Sequence, residues 1–316
     1  MKKRTGVYSL ITIALFCVNG FIFLYRNNGF IYTQYYSDAA TGCDESCIRK
    51  WVKPNSNFAE TDLNEAHLLL QQNINIDSIA SDENKLIAIG AWLNNELSRK
   101  TGTKNDSVNT LPALQQYYCF KKNSNFSFDC GNFQAMFSLF CTSIKLPCRN
   151  LQNIELPGNN PPRGSHVANE IYLKAYNKWV LTDPYQNHLL IKKKNLPLSA
   201  SEYLDYNIAA VADTLSIIKQ SGGKVLIDII EPTRFSPDFY FNKNFILHIY
   251  KETDLQQVYS IPKKIKRYLF PVSWYEVYAP QEKNSNLLFR IKQLFFLVFT
   301  GWILFLIFRI TRKSTT

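Results

Sequence analysis

Residues 6–25, GVYSLITIALFCVNGFIFLY, run for twenty positions without a charge. A helix of that length crosses the hydrocarbon core of a bilayer. Lys2, Lys3 and Arg4 precede it and Arg26 follows, so the positive-inside rule puts the N-terminus in the cytoplasm. A cleaved signal peptide is the competing reading, but the apolar core is long and no small-x-small site follows it. A second apolar block occupies 294–308, LFFLVFTGWILFLIF. Leu287, Leu288, Phe289 and Ile310 lengthen it, and Arg290, Lys292 and Arg309 are placed to snorkel toward headgroups. It is apolar all round, which argues for a span rather than a helix lying on the surface. Two spans leave both termini cytoplasmic and place residues 27–286 outside.

Between the spans the periodicity changes from element to element. Residues 27–60 are polar, aromatic and irregular, a linker or a cap. Residues 61–76 carry a weak helical pattern around AHLLLQQ. DENKLIAIGAWLNNELSR, 82–99, reads as a helix capped by Asp82, with Leu86, Ile89, Trp92, Leu93 and Leu97 in one stripe. A polar loop follows to residue 110. Residues 130–145 read as the central helix, with Asp129 as N-cap and Phe133, Met136, Phe137, Phe140 and Ile144 on one face. Pro147 stops it. The Pro-, Gly- and Asn-rich stretch 151–164 is a loop. HVANEIYL (166–173) and KWVLTD (178–183) alternate as strands, and Lys174–Asn177 turns between them as a hairpin. Beyond residue 196 come a helix-like 202–220, a Gly222-Gly223 turn and the strands KVLIDII and NFILHIY. The class is α+β. It divides into an N-terminal membrane anchor (1–26), an N-terminal extension (27–82), a core (83–190), an α/β extension (191–286) and a C-terminal transmembrane helix (287–312).

Charge alters this picture little. The net +11 is concentrated in runs at Lys2–Arg4, Lys192–Lys194, Lys263–Arg267 and Arg309–Lys313. The outer two flank the spans. KKIKR at 263–267 precedes YLFPVSWYEVY and reads as a membrane-proximal surface or a solvated face. Lys192–Lys194 reads as a solvated run, with attraction of an acidic polymer as the alternative. No P-loop or zinc-finger spacing occurs, and the topology argues against nucleic acid as a partner. Of seven cysteines, Cys17 lies in the first span; Cys43, Cys47, Cys119, Cys130, Cys141 and Cys148 lie in the body. In an oxidising exterior some should pair, in a connectivity that spacing leaves open. Cys43-x3-Cys47 has no matching second pair and only four histidines to join it, so neither a metal nor a cofactor is expected.

The chemistry lies in Cys130, His166 and Asp183. A thiol in the first turn of a helix meets unpaired backbone N–H groups and the positive end of the dipole. Both favour thiolate, the nucleophilic form, and the same N–H groups can hold an oxyanion. The bland alternative is a buried small hydrophobe or half a disulfide. Antiparallel pairing of 166–173 with 176–183 puts His166 opposite Asp183 or within a residue or two of it. The carboxylate then fixes one imidazole nitrogen and leaves the other for the thiol. His188 reads as a loop residue with some chance of touching substrate, Trp92 and Trp179 read as core, and His67 and His248 have no chemical context.

These motifs resemble the transglutaminase-like superfamily, a branch of the papain-like cysteine enzymes. The family runs from a Cys-led helix ending in Gly-Ile-Pro-Ala-Arg, through His-Ala-Trp-x-Glu-x-Tyr, to Trp-x-x-x-Asp-Pro. Here stand Cys130, KLPCR at 145–149, HVANEIY at 166–172 and WVLTDP at 179–184. Cys130, His166 and Asp183 fall on the family's triad; Glu170, Tyr172, Trp179 and Pro184 fall on its flanking positions. The chain departs at Ala168, where the family has Trp, at Phe128, where it often has Gly, and at Cys148, where it has Ala. The resemblance covers roughly 83–190. It implies a transglutaminase-like (papain-like) core, attack on an amide carbonyl of a peptide, protein or envelope polymer, and a thioester. Water resolving the thioester makes an amidase or peptidase, the favoured reading. A lysine amine makes a crosslinking transglutaminase. A silent, membrane-tethered binding or assembly protein is the non-enzymatic alternative.

Overall fold

In the computed structural model the described residues are 2–24, 32–36, 43–52, 58–97, 103–123, 125–155, 165–209, 213–231, 240–250, 261–271, 273, 275–280 and 286–314. In chain order the elements are α1 (Lys2–Leu24), β1 (Gln34–Tyr35), α2 (Glu45–Val52), α3 (Glu60–Ile74), α4 (Asp82–Leu97), β2 (Thr103–Lys104), α5 (Ala113–Lys122), β3 (Phe126–Ser127), α6 (Cys130–Ser143), β4 (Cys148–Glu155), β5 (Ser165–Leu173), β6 (Lys178–Thr182), β7 (Leu190–Lys193), β8 (Leu196–Pro197), α7 (Ala200–Ala209), β9 (Leu215–Ser221), β10 (Lys224–Ile230), β11 (Phe245–Tyr250), α8 (Ile261–Leu269), β12 (Tyr275–Tyr278) and α9 (Leu287–Ser314). They form a mixed α+β body, 35–254 with 274–281, and a second unit of 1–34, 255–273 and 282–316.

The second unit holds the two apolar helices. Windows at Gly6–Phe23 and Leu287–Arg312 have mean hydropathies of 2.0 and 2.2, long and apolar enough to cross a membrane. They pack together where the Trp302 indole donates to Thr12 Oγ1 at 2.9 Å and its ring lies 5.6 Å from Tyr8. The KKIKR run falls in α8, and the neighbouring Tyr268 hydroxyl donates to Asn19 Oδ1 at 3.1 Å. Lys292 does not reach outward as a snorkelling residue would. It is buried, with its ammonium 4.4 Å from the Phe289 ring centroid and 4.7 Å from that of Tyr268.

In the body a six-stranded sheet runs in the order β1-β12-β11-β4-β5-β6, so strands from 83–190 and from 191–286 share one sheet. A four-stranded sheet, β10-β9-β7-β8, lies beside it in sequence. Alternation along the strands sends side chains to two large cores and a smaller cluster of Tyr172, Trp179 and Ile249 with Trp51. Ile171, Leu173 and Val180 join α3, α4, α5 and α6 in one; Leu151, Ala168 and Leu181 join Leu204, Ile217, Phe241 and Leu247 in the other. The predicted α4 stripe is buried at all five positions. So are Phe133, Met136, Phe137 and Phe140 of α6, while Ile144 is the C-cap.

Several expectations move. Ser81, not Asp82, caps α4: its hydroxyl accepts from Asn84 N at 3.1 Å, and Asp82 is the first helical residue. The helix expected over 202–220 ends at Ala209, and Leu215–Ser221 is a strand between β7 and β10. Leu215 and Ile217 alternate into the core there, and ladder bonding on both sides outweighs helical propensity. The stretch 151–164 is not all loop, because β4 continues through Glu155; residues 156–164 lie outside the described ones. Helix α5 carries no strong sequence signal, yet it buries Ala113, Leu114, Tyr117 and Phe120. Lys192 and Lys193 are only partly exposed and pair with Glu83 and Asp213 at 2.6 Å each, while Lys194 is exposed. Cys43 and Cys47 form a disulfide, while Cys17, Cys119, Cys130, Cys141 and Cys148 remain thiols.

Gly90, inside α4, lets the loop after β6 approach closely. A Cβ there would lie 2.8 Å from Leu189 Cδ2 and 3.3 Å from Pro184 Cγ. Alanine gains about 0.5–1 kcal/mol of helix propensity, but overpacking a filled core costs about 1–3 kcal/mol. Gly90→Ala should therefore lower stability by about 1 kcal/mol. A denaturation midpoint at or above wild type would show that Leu189 yields freely.

Candidate functional site

The site starts at the N-terminus of α6. Asp129 has the extended backbone of an N-cap, and its Oδ1 accepts from Gly131 N at 3.0 Å and Asn132 N at 3.1 Å. Asn132 Oδ1 accepts in return from Asp129 N at 3.1 Å, completing a capping box. This fixes Cys130 as the first residue of the helix, half-buried. It also narrows the expected anion site. Two of the helix-start N–H groups are taken by the cap, while no described residue accepts from the Cys130 N–H.

His166 enters from β5. Its strand is paired with β6 from Leu173↔Lys178 to Asn169↔Thr182, and the ladder stops there. Extending that register puts Asp183 opposite Ala168, two residues from His166. The pair is thus diagonal rather than directly opposite, on one face of the sheet, and close enough for long side chains to meet. They do meet: His166 Nε2 lies 2.6 Å from Asp183 Oδ2, and each residue is only 2% exposed. The Cys130 thiol lies close enough to the same imidazole to help raise its pKa. With Nε2 engaged by the carboxylate, Nδ1 is the nitrogen left for the thiol.

Asp183 is held from both sides. Its backbone exchanges hydrogen bonds with His188, at 2.8 and 2.9 Å. Its Oδ1 accepts from Gln186 N at 3.2 Å, capping a 3-10 turn with Pro184 in the first position. His188 thus contributes its backbone to the carboxylate's placement.

Burial alone favours a neutral imidazole. The hydrogen bonds to Asp183 and Cys130 and the charges of those two groups act the other way and prevail, raising the His166 pKa to about 10.

Sequence reasoning missed two contributors. Tyr240 stacks on the His166 ring, centroids 4.4 Å apart and planes at 20°. Asn153, the Cα partner of His166 across β4 and β5, donates from Nδ2 to the Tyr240 carbonyl at 2.7 Å. Nothing in the local pattern around Tyr240 announces it. The other singled-out residues lie elsewhere. Trp92 packs in the helical core, Trp179 covers Arg149, His67 meets Asp77 at 3.2 Å, and His248 stacks on Tyr275.

No family model and no curated protein matches the chain. A solved structure from Cytophaga hutchinsonii, of a candidate cysteine protease, is similar at 18% identity and a TM-score of 0.31. The match covers 59% of this chain and 62% of that protein, less than two thirds of its length.

Proposed function

We propose that the chain is a membrane-anchored cysteine hydrolase of transglutaminase-like type that cleaves an amide bond through a thioester. The observation that carries this reading is one buried imidazole held between the Asp183 carboxylate at 2.6 Å and a thiol on the first turn of a helix. The order of the motifs around Cys130, His166 and Asp183 supports the family, and the two apolar helices support anchoring; the basic residues before the first helix favour cytoplasmic termini and an outside body.

In this mechanism the Cys130 proton resides on His166, giving a thiolate–imidazolium pair. The thiolate attacks the carbonyl carbon, and the carbonyl electron pair moves to oxygen beside the Cys130 N–H. The C–N bond breaks as the imidazolium gives its proton to the departing amine. The now neutral imidazole takes a proton from water, whose oxygen attacks the thioester; the thiolate leaves and the acid is released. A lysine amine in place of that water would make the same acyl-enzyme a crosslinker. The substrate class is a peptide, a protein or an envelope polymer.

Alkylation of the full chain near pH 6, without reductant, tests the pair directly. Cys130 should react about tenfold or more faster than Cys119. Equal rates, or a disulfide through Cys130 in the native protein, would sink the reading. With a cleavable amide in hand, Cys130→Ala should abolish turnover in a protein that still folds. Incorporation of a labelled amine alongside ammonia release would assign transfer rather than hydrolysis.

A further inference from the structure

The segment after residue 231 has no assigned role in the chemistry, yet it delivers an aromatic ring to the face of His166. We infer that Tyr240 and Asn153 are positioning residues for the base: Tyr240 clamps the imidazolium face, and Asn153 clamps Tyr240. This rests on the thiolate–imidazolium reading above.

Tyr240 is fixed by its own segment. Phe241 beside it is buried, 5.2 Å from the Tyr203 ring, and Phe245 N donates to the Asn242 carbonyl at 3.0 Å, leading the chain into β11. The Tyr240 ring meets Phe245 edge-on at 6.0 Å, with planes at 76°. Its backbone carbonyl is then seized by Asn153 Nδ2. Three attachments thus converge on one ring position.

Asn153 is an unusual residue to bury. It is 0% exposed, and among the described residues its Oδ1 has no hydrogen-bond partner. Rotating the amide would turn oxygen toward the Tyr240 carbonyl, acceptor against acceptor, so the observed orientation is the one that holds. An apolar side chain would leave no unpaired acceptor at this position. What Asn153 alone supplies is the donor that sets the Tyr240 backbone, directly across the ladder from His166.

The stack acts on the charged form of the base. An aromatic face attracts a cation lying over it, and a ring at 4.4 Å leaves no room for water on that side. A second ring, Tyr185, lies farther off, 6.1 Å away and tilted by 38°. The titratable groups meeting the imidazole are Asp183 from the loop after β6, Cys130 from α6, and the phenols of Tyr185 and Tyr240. Among the described residues, Tyr240 is the one that lies flat on the ring. Removing its π-face should weaken the imidazolium, and with it the thiolate, at acidic pH.

The test needs no substrate. The alkylation rate of Cys130 is followed from pH 5 to 9 in the full chain, with Tyr240→Phe beside Tyr240→Leu. The Phe variant should keep the wild-type profile. The Leu variant, apolar but smaller and without the ring face, should lose about tenfold at pH 5–6 and converge with wild type near pH 9. Asn153→Ser should move the acid limb the same way by a smaller factor. It stands in for the Leu variant should that one fail to fold. Equal acid limbs in the Phe and Leu variants overturn the inference, as does an unmoved limb in Asn153→Ser. A wild-type protein with no acid limb removes the thiolate–imidazolium pair itself, a different result that is read before any variant is made.

Discussion

His166→Ala should lower acyl transfer by about 10²- to 10⁴-fold, the range for losing a positioned acid–base group. It should also erase the fast alkylation of Cys130 near pH 6, because His166 is the base whose pKa is coupled to that thiol. Asp183→Asn is the sharper variant. It keeps a side chain able to cap Pro184–Gln186 but removes the charge 2.6 Å from Nε2. The pH dependence of stability has a definite sign. His166 binds its proton more tightly folded than unfolded, at about 10 against an ordinary 6.5. The stabilisation this supplies is complete below about 6.5 and fades as pH rises through about 10. The stability gap between wild type and Asp183→Asn should therefore be widest near pH 6 and narrow toward pH 10. Chemical denaturation at three pH values checks this, and a gap that widens with pH contradicts it.

How far the site was legible from sequence follows from the range of each signal. The Asp129 cap and the apolar face of α6 are local, so the place of Cys130 could be read within a few residues. The hairpin was legible through alternation. Its exact register was not, because the 3-10 turn at Lys174–Tyr176 and left-handed Asn177 decide it. That register makes His166 and Asp183 diagonal. Gly90 looks like a minor flaw in a good helix until the loop carrying Pro184 packs against it. Tyr240 and Asn153 could not be found at all. Their roles depend on β11 joining β4 across a separation of about ninety residues, and pairing at that range leaves no local trace. The same limit hid the strand at Leu215–Ser221, whose apolar content suits a helix or a strand until neighbours on both sides bond to it.

The largest effect on stability should come from Glu170. Its Oε2 accepts from Arg149 Nε at 2.7 Å and Nη2 at 2.5 Å, and its Oε1 accepts from Ala200 N at 2.7 Å. Both charged residues are 1% exposed. The guanidinium is also enclosed by Trp179, Trp51 and Tyr36, at 4.5, 4.9 and 5.5 Å. Glu170→Ala leaves that cation buried without its carboxylate, a loss of about 3–5 kcal/mol. For a body of this size each kcal/mol moves the midpoint by about 2–4 °C, so Tm should fall by about 6–20 °C. Exchanging both partners, Arg149→Met with Glu170→Leu, should recover most of that loss, since desolvation consumes much of what a buried pair gains. A double variant no better than Glu170→Ala would mean that the bond to Ala200 N, not the ion pair, dominates. Arg149↔Glu170 and Asn153↔His166 belong to the same β4–β5 ladder, four residues apart along each strand. The ion pair fixes where these strands lie, while the proton on His166 is governed by Asp183, Cys130 and the ring over it. Well below its lowered Tm, Glu170→Ala should therefore retain the acid limb of Cys130 alkylation. A loss of that limb in the still-folded variant would show that strand placement, rather than the groups touching the imidazole, limits the reactivity of Cys130.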